Sequence, residues 1–145
     1  MINIHILNKS SEFPNLDEKY IHSICNNIMN ENNHDYSGIT LIITNDNKLR
    51  ELKKKYFQQD ILTDVITFNL EESGDPIEGE IYISFDRVKE NAQQYMQDVT
   101  TELKRVIIHG CLHLIGFDDQ TLEEKKEMTR LENYYLNLST IKNLL

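Results

Sequence analysis

Short stretches in which apolar and polar residues alternate, or in which β-branched residues follow one another, predict four β-strands. They cover residues 1–7, 39–44, 64–70 and 80–85 of the chain. The stretch 71–76 consists mostly of turn-forming and acidic residues and separates the last two strands. We therefore expect these two strands to pair as a hairpin with a long loop.

Apolar residues that recur every three or four positions predict five helices on the remaining parts of the chain. The helices cover residues 16–30, 48–57, 86–96, 101–115 and 122–138. Asp86 is suited to cap the third helix, and Thr100 or Thr101 the fourth, because short polar side chains accept hydrogen bonds from free helical N–H groups. Gly116 is expected to end the fourth helix, since glycine adopts the left-handed backbone of a helix terminus.

Four strands and five helices predict a single domain of the α+β class that spans residues 1–145. We expect a mixed sheet of about four strands with the long helices packed on one face. No linker rich in glycine, serine or proline divides the chain. A chain of 145 residues is long enough for one domain with its own hydrophobic core.

The charge and composition narrow the possible functions. A formal net charge of -9 argues against a protein that coats nucleic acid through a broadly basic surface, so any nucleic acid must be bound locally. No run approaches the roughly 18 to 20 apolar residues of a membrane span, and residues 1–5 lack the basic start of a secretory signal. Two cysteines, Cys25 and Cys111, are too few for a disulfide framework. We expect a cytoplasmic protein with no membrane partner.

The candidate chemistry lies at the end of the fourth predicted helix. His109 and His113 are four residues apart, so on a helix both imidazoles project from one face and can bind one metal ion. Gly116 lets the chain turn back, which brings Asp119 within reach as a third ligand. Asp118 is the competing carboxylate. The alternative is that the two histidines are structural and only form hydrogen bonds within the core.

The spacing of these residues is similar to the extended zinc motif H-E-x-x-H-x-x-G-x-x-H. Gly110 replaces the glutamate that acts as the general base in peptidases with this motif, and Asp119 replaces the last histidine. A carboxylate can bind zinc at about the same distance as an imidazole, so the ligand set is kept while the peptidase base is lost. Cys111 is expected to point away from the metal face, because two residues along a helix rotate a side chain by about 200°.

The stretch 109–119 reads HGCLHLIGFDD and resembles the signature H-G-x-L-H-L-x-G-[YF]-D-H of the YbeY family of bacterial rRNA maturation factors. It differs from that signature at one defined position, Asp119. Residues 60–68 are similar to the family's D-x-P-T-D-V-L-S-F block, and residues 78–84 to its G-D-I-x-I-S strand. The order and spacing of these blocks match across nearly the whole chain.

The resemblance implies a single α+β domain with one bound zinc ion, for which His109, His113 and Asp119 are the ligands. It also implies a single-strand-specific endoribonuclease that matures the 3′ end of 16S rRNA and takes part in ribosome quality control. The implied partners are single-stranded rRNA, the small ribosomal subunit and ribosome-associated proteins. The family usually has an arginine where this chain has Phe57.

A local basic run, residues 48–55, offers cations in place of that arginine. Lys53, Lys54, Lys55 and Asp118 are the candidate catalytic residues for metal-assisted hydrolysis of a phosphodiester. The alternative for the run is an exposed helix face with solvated lysines. Two other functions stay open: a metallopeptidase with the same metal spacing, and a non-enzymatic ribosome assembly factor in which zinc is structural.

Overall fold

The computed structural model describes the backbone of residues 4–8 and 17–142, and the side chains of all of these except Asn8 and residues 139–142. The predicted strand residues 1–3 and the predicted helix residue Leu16 lie outside the described residues. The elements follow in the order β1 Ile4–Asn8, α1 Glu18–Glu31, β2 Tyr36–Thr44, α2 Asp46–Phe57, β3 Val65–Asn69, β4 Ile77–Ser84, α3 Phe85–Gln94, α4 Val99–Leu114 and α5 Leu122–Lys142.

The four strands form one mixed sheet in the order β1-β2-β4-β3. β1 and β2 are parallel, as are β2 and β4, whereas β3 runs antiparallel to β4. Val65 lies opposite Ile83 at one end of the β3–β4 ladder, and Asn69 lies opposite Gly79 at the other. The predicted hairpin, the mixed sheet and the α+β class are therefore confirmed.

Helix α4 lies against one face of this sheet and forms the centre of the main core. Its apolar residues are buried together with residues of α1, β2, β4 and α5. The backbone of α4 comes close to β4 at Gly110. A Cβ atom built on this residue would lie only 2.7 Å from Cγ2 of Ile81. The absence of a side chain at this position therefore allows the helix to pack this closely on the sheet.

Helix α2 covers the opposite face of β3 and β4. Successive residues of a strand point to opposite faces, so Ile81 joins the main core while the next residue, Tyr82, packs with α2. Leu49 and Leu52 of α2 form this second, smaller cluster with Ile66. The basic helix is therefore anchored to the sheet by one apolar stripe.

Two predicted helix caps are wrong. Ser84 caps α3, with its side chain accepting from the N–H of Arg87, and Asp86 lies inside the helix. Asp98 occupies the N-cap position of α4 without a side-chain hydrogen bond, and residues 100 and 101 are helical. In both cases an earlier residue with extended backbone starts the helix, so the helix begins before the residue predicted to cap it.

None of the helices in the part of the chain that the structure describes is long and apolar enough to cross a membrane.

Candidate metal centre

The three residues predicted as metal ligands lie together at the carboxyl end of α4. His109 and His113 project from successive turns of the helix, and Asp119 follows in the turn beyond it. The Nε2 atoms of the two histidines are 2.9 Å apart. Oδ2 of Asp119 lies 3.4 Å from Nε2 of His109 and 3.6 Å from Nε2 of His113.

The turn that carries Asp119 depends on Gly116. Its φ of +104° is a conformation that residues with a Cβ rarely adopt. The N–H of Phe117 donates to the carbonyl of Leu112, which closes the helix end and directs the chain back over its last turns. Asp118 is not part of the cluster of three: its Oδ1 accepts from the backbone N–H of Asp119 at 2.8 Å.

The geometry and chemistry of the three side chains suit one metal ion. In a tetrahedral zinc site with bonds of about 2.0 to 2.1 Å, neighbouring ligand atoms are about 3.3 Å apart. The three observed separations, 2.9, 3.4 and 3.6 Å, bracket that distance. Among the described residues, the group that can hold an ion contains two imidazoles and one carboxylate. Three protein ligands are the number found in catalytic zinc sites, whereas closed structural sites have four.

A buried glutamate of α5 orients His109. Oε2 of Glu132 lies 2.6 Å from Nδ1 of His109, and Oε1 of Glu132 accepts from Nη1 of Arg105 at 3.0 Å. A carboxylate at Nδ1 keeps the proton there, which leaves Nε2 with a free lone pair facing His113 and Asp119.

The same contacts give the two histidines different proton affinities. Burial opposes a positive charge on His109, but the hydrogen bond and the negative charge of Glu132, together with the negative charges of Asp64 and Asp119, outweigh it and raise the pKa of His109. Burial, followed by the positive charge of His109, lowers the pKa of His113. The two rings therefore do not share one proton affinity although they touch each other.

A pocket of about 290 Å³ opens over the three side chains. Besides His109, His113 and Asp119 it is lined by Lys53, Phe57, residues 63–67 and Gln120. Among the three candidate lysines, only Lys53 lines this pocket. Nζ of Lys54 is instead 3.7 Å from the carboxylate of Asp60, and Nζ of Lys55 lies 5.2 Å from the ring centroid of Tyr56.

Asp64 is a second carboxylate on the pocket wall, and it is not among the site residues that the sequence predicts. It accepts a hydrogen bond from Nδ2 of Asn91 at 3.1 Å. Burial raises its pKa, against the opposing effect of the nearby His109. Glu132 was missed as well, because it comes from another helix and no local spacing connects it with the histidines.

Neither Gly110 nor Cys111 lines the pocket. Gly110 is packed on Ile81 of the sheet, where a larger side chain has no space. Cys111 is buried, with its Sγ 3.3 Å from Sγ of Cys25, and both thiols are free. The prediction that Cys111 points away from the face of α4 that carries His109 and His113 is confirmed.

Comparisons with known proteins agree with the fold and with the motif. A family model described as Endoribonuclease YbeY matches residues 3–139. A relative from Amoebophilus asiaticus with that name is 41% identical over 142 residues, which are 98% of this chain and 97% of the relative. One from Chloroherpeton thalassium, also named Endoribonuclease YbeY, is 47% identical over 98 residues, covering 68% of this chain and 69% of the relative.

A solved structure shares the fold. The solution structure of a Thermotoga maritima protein superposes with a TM-score of 0.62 at 30% sequence identity, covering 92% of this chain and 86% of that protein. These matches confirm the resemblance carried by the histidine motif and extend it along nearly the whole chain. The chain therefore belongs to the endoribonuclease YbeY family.

Proposed function

We propose that this protein is a zinc-dependent endoribonuclease that cleaves single-stranded RNA. The observation that carries the proposal is the convergence of His109, His113 and Asp119 in a pocket that a lysine of the basic helix α2 also lines. The curated relatives are named endoribonucleases, which supports RNA as the substrate.

His109, His113 and Asp119 would hold the zinc ion through Nε2, Nε2 and Oδ2. Zinc bound there supplies Lewis-acid chemistry at a phosphodiester. Two neutral imidazoles and one carboxylate also suit other first-row metals, so zinc is a preference of the donor set. Glu132 keeps the proton of His109 on Nδ1 and so leaves Nε2 free to act as a ligand.

Lys53 provides the positive charge for the phosphate. It is the lysine of the basic run that lines the pocket, and an ammonium group there stabilises the charge that develops on a phosphate during cleavage. Lys54 and Lys55 are directed to Asp60 and Tyr56 and lie outside the pocket, so they would add positive charge only to the local surface of α2. Asp118, which bonds to the backbone, has a supporting role in shaping the turn.

The substrate we propose is the 3′ end of 16S rRNA on the small ribosomal subunit, cleaved during maturation and ribosome quality control in the cytoplasm. With a net charge of -9, the protein has little general attraction for RNA. Ribosome-associated proteins would therefore help to bring it to the subunit.

Two alternatives lose support from the geometry. The peptidase motif has its carboxylate base where this chain has Gly110, which is packed against the sheet. The other carboxylate on the pocket wall, Asp64, lies outside that motif and accepts a hydrogen bond from Asn91. A structural zinc site would be closed by a fourth ligand, whereas the group among the described residues has three members and faces a pocket.

The test is cleavage of a single-stranded RNA by the zinc-loaded protein, compared with His113→Ala. Loss of one of three ligands should reduce the cleavage rate by at least about a hundredfold. His34→Ala is the control, because His34 lines a different pocket. Circular dichroism would verify that both variants are folded. Equal cleavage by His113→Ala and the parent protein would refute the proposal.

A further inference from the structure

Three aromatic residues form a partly exposed group, the aromatic ledge, beside the metal pocket. It consists of Tyr56 and Phe57 at the end of α2 and Phe68 of β3. The ring centroids of Tyr56 and Phe68 are 5.3 Å apart, and those of Phe57 and Phe68 are 6.0 Å apart with 27° between the planes. Tyr56 is 52% exposed and Phe57 41% exposed. Large aromatic rings left this accessible beside a polar pocket point to a binding surface.

Phe57 joins the ledge to the metal centre. Its ring lines the same pocket of about 290 Å³ as His109, His113 and Asp119. Phe68 packs beside Phe57 and contacts Tyr82 of the sheet, with their ring centroids 5.8 Å apart. Phe68 therefore supports the ring of Phe57 from the sheet side, and Phe57 also borders the pocket.

Lys53 covers the ring of Phe57 but is not held by a carboxylate. Its Nζ lies 4.5 Å from the ring centroid. Across the described residues, no ion pair involves Lys53, whereas Arg50 and Lys54 both pair with Asp60. An exposed cation–π contact is worth only about 0.5 to 1 kcal/mol, so a phosphate can draw the ammonium group off the ring.

We propose that Phe57 stacks on a nucleobase of the RNA nucleotide next to the cleaved bond while Lys53 binds the phosphate of that nucleotide. The inference rests on the proposed nuclease function and adds how the substrate is held. Binding of one nucleotide breaks the contact between Lys53 and Phe57. Its base then stacks on the ring of Phe57, and its phosphate binds the ammonium group of Lys53. Every base has a π-face, so this binding is tolerant of sequence.

The same contact selects single strands. In a duplex both faces of a base are covered by its neighbours, and unstacking it costs a few kcal/mol. An unpaired base has a face available for the ring of Phe57. The ledge therefore accounts for a preference for single-stranded RNA without any hydrogen bond to a base edge.

The experiment uses the zinc-loaded protein and a single-stranded 2′-O-methyl oligonucleotide that carries 2-aminopurine, with its intactness checked on a gel. Stacking quenches the fluorescence of 2-aminopurine, so one titration reports both affinity and stacking. We expect quenching with the parent protein and with Phe57→Trp. Phe57→Leu should abolish the quenching and weaken binding roughly 5- to 150-fold. Tyr95→Leu is the matched control, because Tyr95 is 61% exposed and does not line the pocket.

Two further titrations separate the base contact from the phosphate contact. Lys53→Gln should weaken binding. The slope of log affinity against log salt concentration should also fall by the amount expected for about one phosphate contact. The quenching at saturation should stay the same, because the base contact is kept. An oligonucleotide with an abasic site at the stacked position has no base for Phe57 to contact. It should therefore bind Phe57→Leu and the parent protein with equal affinity. Equal affinity and equal quenching for Phe57→Leu and the parent protein on the intact oligonucleotide would overturn the inference, as would an absence of quenching by the parent protein.

Cleavage assays run in parallel distinguish this inference from the proposed function. Quenching that depends on Phe57, without cleavage of any RNA by the parent protein, would support the stacking contact and refute the nuclease. Cleavage that is unchanged in Phe57→Leu, together with unchanged binding, would refute the stacking contact alone.

Discussion

Replacing Glu132 by glutamine should weaken metal binding although Glu132 is not itself a ligand. Its carboxylate forms two hydrogen bonds, with Oε2 2.6 Å from Nδ1 of His109 and Oε1 3.0 Å from Nη1 of Arg105. Both oxygens accept, and a glutamine of the same shape has only one oxygen to offer.

Either orientation of the glutamine is unfavourable. If its oxygen faces His109, its NH₂ group faces the donor of Arg105. If its oxygen faces Arg105, its NH₂ group donates to Nδ1 of His109, and the ring proton moves to Nε2, the atom that the metal needs. Loss of such a carboxylate behind a ligand histidine typically weakens metal binding by about 10- to 100-fold, or about 1.4 to 2.7 kcal/mol.

The assay is an equilibrium competition for Zn²⁺ between the protein and a chromophoric chelator, and circular dichroism would confirm that the variant is folded. Glu127→Gln is the matched control, since Glu127 lies on the same helix, pairs with Arg130 and does not contact the histidines. A Kd for Glu132→Gln within twofold of the parent value would refute the reasoning.

Three other changes test the ligand set, the turn and the buried charge. Asp119→Ala should lose stoichiometric zinc in metal analysis while Asp118→Ala keeps it; retention by Asp119→Ala would contradict the ligand assignment. Gly116→Ala and Gly74→Ala each place an alanine at a position with a positive φ, and neither creates a steric clash. Each should lower the free energy of unfolding, measured with denaturant, by about 1 to 3 kcal/mol. Only Gly116→Ala should also weaken zinc binding. Burial, and then the negative charge of Asp64, raise the pKa of Glu102 above its usual 4.5, against the opposing positive charge of Arg105. The contribution of Glu102 to stability is therefore largest below its usual pKa and is lost as the pH rises through the raised pKa. Glu102→Gln should have the higher Tm at pH 8 but not at pH 4. An equal Tm difference at both pH values would contradict this.

The parts of the site that the sequence predicted are those fixed by local geometry. Two histidines four residues apart must share a face of any helix that contains them. Gly116 predicted the turn, and its positive φ shows why glycine is needed there. The turn-forming stretch 71–76 predicted the β3–β4 hairpin. This prediction is local too, because the loop between two strands determines whether they can pair as a hairpin.

The parts that were missed depend on tertiary packing. Glu132 reaches His109 only because α5 packs on α4, and no period along the chain connects residues 23 positions apart. The predicted start of β2 at residue 39 is too late as well. The strand begins at Tyr36, and its register with β4 shifts between Tyr36 and Gly38.

The hydrogen bonds from Arg105 and His109 to Glu132 also have a dynamic consequence for α5. A local opening that lifts this helix off α4 would remove the carboxylate that holds the ring of His109. By thermodynamic linkage, a metal ion that prefers the oriented ring must then disfavour that opening. Amide hydrogen exchange in α5 should therefore slow when the metal binds, so that the rigidity of this helix reports on occupancy of a site to which it contributes no ligand.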